Sequence, residues 1–143
     1  PAACAAVVSN PDARNILEEV FEGGLFLSDL DRELSRYRYY GLFREMVLGR
    51  LMRRAPERAA ELHRRASTYF VEVGDLSRAL EHAVLCGDKV FLADQLELLA
   101  EPMCYSGLLY RTDELASDLP WELQSTRPSL LLAMSWRKSD EAA

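Results

Sequence analysis

The chain has 143 residues, with 17 basic and 23 acidic side chains and a formal net charge of −6. Hydrophobic residues make up 49%, enough to core one ordinary domain or two small ones, which excludes a disordered polymer. No run reaches the ~18 apolar residues of a membrane span. The opening PAACAAVVSNPDARN has no basic n-region, so a signal peptide is not expected.

In chain order, Asn10-Pro11 reads as a helix start, a capping side chain followed by proline in the first helical position. Ile16, Leu17, Val20 and Phe21 continue it at helical spacing, and Gly23-Gly24 ends it. LFLSDL then reads as a strand, DRELS as a turn and RYRYY as a second strand of period two. Together they make a β-hairpin with Tyr37 and Tyr39 on one face and Arg36, Arg38 and Tyr40 on the other. The next helix has an apolar stripe of Leu42, Phe43, Met46, Val47 and Leu51, with most of its arginines off that stripe. Pro56 ends this helix and opens another, which Ala59, Leu62, Ala66, Tyr69, Phe70 and Val73 carry to Gly74.

From Gly74 one phrase recurs, GDLSRALEHAVLC and then GDKVFLADQLELL, in which glycine closes one helix and aspartate caps the next. Further helices are expected from Gly107 to Pro120 and from Pro128 onward. The fold class is therefore mainly α: a small hairpin followed by an antiparallel helical array, without a strict 34-residue repeat.

Charge is distributed unevenly. Between Arg36 and Arg65 nine arginines stand against three glutamates, a balance of +6, while the remainder balances at −12. Such a basic stretch faces either the acidic remainder or an anionic partner. The cysteines, Cys4, Cys86 and Cys104, are odd in number and widely spaced, which fits reduced thiols rather than a disulfide frame. His82 and Cys86 sit four apart on one helix, but no second ligand pair completes a metal site. No phosphate-binding loop, GxSxG or HExxH occurs, and adjacent carboxylates such as Glu18/Glu19 diverge on a helix, so no catalytic constellation is expected. Trp121 and Trp136 read as packing residues or, on a concave array surface, as ligand-facing ones.

The ordered phrases GGLFLSDLDRELSRYRYYGLFREMVLGRL, PERAAELHRRASTYFVEVGDLSRALEHAVLCGD and LPWELQSTRPSLLLAMSW resemble the middle of the MalT-like, large ATP-binding regulators of the LuxR family. In that family an ATPase module, a winged-helix domain, a helical tetratricopeptide-like sensor arm and a C-terminal DNA-binding helix-turn-helix follow one another. The resemblance implies that residues 1–55 are a winged-helix domain entered after its first helix, with residues 25–39 as its hairpin, and that residues 56–143 begin the arm. It implies a cytoplasmic, non-enzymatic segment with no cofactor of its own, ATP or ADP belonging to the full-length protein. The implied partners are the neighbouring ATPase and DNA-binding domains and an effector, a small molecule or a protein. DNA would be read by a domain outside these residues, and no membrane is involved.

Tyr40 stands where the family usually has a histidine, and in related signalling ATPases such a histidine touches the phosphates of ADP. Tyrosine supplies a hydroxyl but no imidazolium charge. By the same resemblance RYRYY is the last strand of the wing, packing Tyr37 and Tyr39 on the helix from Leu42. The candidate contact surface for the ATPase module is Arg36, Arg38, Arg44, Arg50, Arg53 and Arg54. Two other readings stand beside this one, a winged helix that binds DNA in its own right and a helical protein-interaction adaptor.

Overall fold

The computed structural model describes residues 2–24, 26–31, 36–106 and 109–140. In chain order these form α1 (Ala2–Val8), α2 (Ala13–Glu22), β1 (Leu27–Asp31), β2 (Arg36–Tyr39), α3 (Gly41–Arg54), α4 (Pro56–Glu72), α5 (Leu76–Cys86), α6 (Lys89–Ser106), α7 (Leu109–Ser117), α8 (Trp121–Ser125) and α9 (Pro128–Asp140). The chain is thus mainly α, a two-stranded hairpin between helices followed by a helical array, as the sequence predicts. Helices α1 and α8 go beyond that expectation. None of the described helices is long and apolar enough to cross a membrane.

The start of α2 differs from the sequence reading. Asn10 does not cap a helix at Pro11; its side chain accepts from the Asp12 amide at 2.9 Å and closes a tight turn, so the helix begins at Ala13. At the far end Gly24, at φ +68°, supplies the left-handed turn that glycine adopts without a steric penalty. The hairpin is antiparallel and pairs Leu27 with Tyr39 and Ser28 with Arg38, with an irregularity between Asp29 and Asp31. Most of the expected DRELS turn falls on 32–35, outside the described residues.

Tyr37 and Tyr39 share a face, as period two requires, but they meet different helices. Tyr39 lies against Phe43 of α3 at 5.6 Å, whereas Tyr37 lies against Phe21 of α2 at the same distance. Phe26, just before β1, stacks on Phe43 at 4.7 Å. Helix α3 stops at Ala55, which precedes Pro56 and leaves the helical region at φ −150°, ψ 65°.

Both GD phrases fold as the sequence predicts. Gly74 and Gly87 take φ +77° and +75°, and the following aspartates cap the next helix. Asp75 accepts from the Arg78 amide, and Asp88 accepts from the amides of Val90 and Phe91. Asp88 also takes a 2.7 Å contact from Arg64 of α4, and this hydrogen bond, ahead of those from the Phe91 and Val90 amides, holds its carboxyl below the ordinary carboxylate range.

The core lies in α4 to α9 and is built from Phe70, Leu80, Leu96, Leu99, Met103, Leu115, Leu119 and Leu130 with alanines between them. Helix α1 joins it through Ala3 and Val7, and Arg65 of α4 donates to Ser9 at its end. Two polar devices tie helices together inside this region. Ser67 is fully buried and donates to the Ala79 carbonyl at 2.8 Å, bonding α4 to α5. Glu97 of α6 accepts from the amides of Ser129 and Leu130, so a carboxylate from one helix caps the N-terminus of α9.

Candidate functional site

The apolar stripe Leu42, Phe43, Met46, Val47 and Leu51 is present on α3 but is not a core face. None of the residues of α3 is buried. Leu42 is 83% exposed, Met46 57% and Val47 47%. The helix is partly covered where Phe26 and Tyr39 rest on Phe43 and near Leu48 and Leu51, which are half-buried. An amphipathic stripe reports that a helix needs a partner, and the described residues of this chain do not supply one for the rest of α3.

The same helix carries the basic patch. Leu42, Met46, Arg50 and Arg53 fall on one side of α3 by their spacing, with Arg54 beside them. Arg38, Arg44, Arg50, Arg53 and Arg54 are exposed. None of these five guanidinium groups makes an ion pair or hydrogen bond among the described residues. Arg36 lies in β2 opposite Asp31, and its side chain is outside the described residues. Five arginines of the array behave differently: Arg64, Arg65, Arg78, Arg111 and Arg127 each have a carboxylate partner, respectively Asp88, Glu61, Asp75, Glu114 and Asp94.

Tyr40 sits in the N-cap position of α3, its amide donating to the Phe26 carbonyl and its carbonyl accepting from the Arg44 amide. The side chain makes no capping bond and is 59% exposed beside Leu42. Its side chain is thus exposed at the N-terminal end of α3, with Arg50, Arg53 and Arg54 towards the other end.

A second concavity lies in the array. A cavity of about 370 Å³ between α5, α6 and α7 has Leu80, Met103 and Leu115 as its apolar wall and Ser77, Glu81 and Arg111 as its polar groups. Trp121 does not line it; it projects from α8 and is 65% exposed. The side chain of Trp136 lies outside the described residues.

His82 does not turn to Cys86, which is buried on its own. It meets His63 of α4, with the two Nδ1 atoms 2.9 Å apart. No described group of three or more His, Cys, Asp or Glu side chains is arranged to hold a metal ion. The signal that would have found the imidazole pair is positional, since residues equidistant from the last turn of α4 at Glu72-Val73, just before Gly74, face each other in this helical hairpin.

The hairpin with α3 behind it, joined to an antiparallel array, defines a winged-helix segment followed by a helical arm. Comparison with known proteins agrees: residues 1–59 match the family model described as the MalT winged helix domain, which supports a MalT-like origin for that segment. Across 131 residues, 92% of the chain, it is 31% identical to the serine/threonine-protein kinase PknK of Mycobacterium tuberculosis and of Mycobacterium bovis. The chain spans 12% of the length of these relatives. No solved structure matches it.

Proposed function

We propose that the chain is a non-catalytic regulatory segment of an ATP-dependent, LuxR-family regulator of the MalT kind. Residues 1–55 form the winged-helix part and couple a nucleotide switch on one side to the helical arm of residues 56–143 on the other. One observation carries this reading: α3 presents Leu42 and Met46 together with arginines that lack carboxylate partners among the described residues. The occupant proposed for this face is the ATPase module of the same full-length, cytoplasmic protein, with the Tyr40 hydroxyl towards its nucleotide. The cavity walled by Leu80, Met103 and Leu115 is the proposed effector site of the arm. DNA is left to a separate helix-turn-helix.

The match of residues 1–59 to a winged helix domain supports a regulatory rather than a catalytic role. The similarity to proteins named as protein kinases fits a segment that serves different output domains, the output lying elsewhere in each chain.

Amide hydrogen exchange tests the docking. In the intact protein the amides of residues 42–54 should exchange roughly tenfold or more slowly than in the 143-residue chain, because a covered helix opens less often. Equal rates would remove α3 as an interface. The free arginines also favour a second reading, direct DNA binding. A tight complex of the 143-residue chain with duplex DNA, weakening steeply as salt rises, would replace the first reading with the second.

A further inference from the structure

The chain has two histidines, and both are spent on one contact. His63 projects from α4 and His82 from α5, with 2.9 Å between their Nδ1 atoms and 5.2 Å between ring centroids. The centroid distance equals the nitrogen separation plus the reach of both rings, so the two nitrogens face each other head-on. That alignment suits a shared proton. A bridging cation needs lone pairs that converge on a point off the nitrogen–nitrogen line.

We propose that the His63–His82 pair is a proton-sensitive latch between the first two helices of the array, closed by zero or one proton on the pair and opened by the second. Neutral imidazoles satisfy the contact, one ring donating N–H and the other accepting. A single added proton keeps it, as a charge-assisted N–H···N bond. Two protons leave two N–H groups pointing at each other with no acceptor between them and like charges at contact distance. The rings must then part.

The surroundings make that second proton costly. Burial disfavours charge on His63. Burial, the His63 charge and Arg78 all disfavour it on His82, while the neighbouring Glu81 favours it. Arg78 and Glu81 lie on α5 itself. On the helix that bears His63, Arg64 and Arg65 are committed to Asp88 and Glu61. Helix α1, packed on α4, has Cys4 as its only titratable side chain. Among the described residues, none of the charged side chains of α3 (Arg44, Glu45, Arg50, Arg53, Arg54) or of α6 (Lys89, Asp94, Glu97, Glu101) acts on either ring.

The latch is wired to the core. His82 stacks on Phe70 at 5.5 Å and 8° between planes, and Arg78 lies over the Phe70 ring. Phe70 belongs to the cluster that holds α4, α5 and α6 together. Displacing His82 therefore uncovers Phe70 and loosens α4 from α5, with the Ser67–Ala79 bond and the packing of Ala66 and Leu80 remaining between them.

The sign follows from linkage. Both imidazoles titrate below their ordinary 6.5 in the folded chain. The unfolded chain therefore binds more protons, and stability is complete above pH 6.5 and lost as pH falls through the folded values. Long-range proton–nitrogen NMR of the imidazoles, run on the 143-residue chain from pH 8 to pH 4.5, reads the pair without any substitution. Two coupled ionisations about one pH unit apart or more support the latch. Independent titration of both rings near pH 6.5 overturns it. His63→Gln and His82→Gln then serve as controls in melting experiments. Each should remove at least half of the loss in melting temperature between pH 7 and pH 5. An unchanged pH profile in both variants also overturns the proposal, and if one variant fails to fold the other carries the comparison.

Discussion

Helix α3 and helix α4 lie next to each other in the chain, and both carry arginines and an apolar stripe, yet they end in opposite circumstances. In α4 the stripe is partly closed inside the chain, with Ala59, Ala66, Ser67 and Phe70 buried and two of its arginines ion-paired. In α3 no residue is buried, and its arginines have no carboxylate partner among the described residues. The same residue types thus serve a self-sufficient core in one helix and an open face in the next. What distinguishes them is the neighbour: α5 folds back on α4 through the Gly74 turn, while the described residues leave the Leu42–Met46 face of α3 open.

Three substitutions sharpen or break this contrast. The largest effect belongs to Phe70→Ala, which should cost about 3–5 kcal/mol, because it empties a ring-sized space in the α4–α6 cluster and removes the support of His82. Chemical denaturation reads this, and a midpoint within error of the parent would break the account of α4 as a core helix. Next comes Ser67→Ala, which leaves the Ala79 carbonyl without its side-chain donor in a buried setting. The expected loss is about 1–3 kcal/mol by the same measurement, and no loss would mean that water replaces the hydroxyl. The smallest belongs to Leu42→Ala, which should change the stability of the chain by about 0.5 kcal/mol or less, since the side chain touches little. A loss as large as that of Phe70→Ala would show that α3 is packed after all, and would erase the difference between the two helices.

How much of this could be read from the residues depends on the range of the cause. The Gly74-Asp75 and Gly87-Asp88 turns were legible because a left-handed glycine and a capping aspartate act within four residues. The hairpin was legible because period two is a local pattern, although which helix each tyrosine meets was not. The stripe on α3 was legible but its exposure was not, because periodicity reports that a face is apolar and says nothing about whether this chain covers it. Ser67 and the His63–His82 pair went unread because they exist only once the register between α4 and α5 is set. Helix α1 has neither a capping side chain nor charge to mark its ends. At the candidate interface, the arginines and Tyr40 are legible in the sequence, while the exposure of Leu42 and Met46 beside them is not.

Phe26 carries a consequence for which substitutions the hairpin tolerates. Its backbone is left-handed, at φ +58°, a conformation that disfavours a side chain, while its ring stacks on Phe43. Backbone and side chain therefore ask for different residues. Glycine would relax the backbone and abandon the ring contact, and valine would fail both demands, having a branched Cβ and no ring. A position with two incompatible demands has few acceptable occupants. Sequence drift at this exposed site is thus narrowed by geometry rather than by burial.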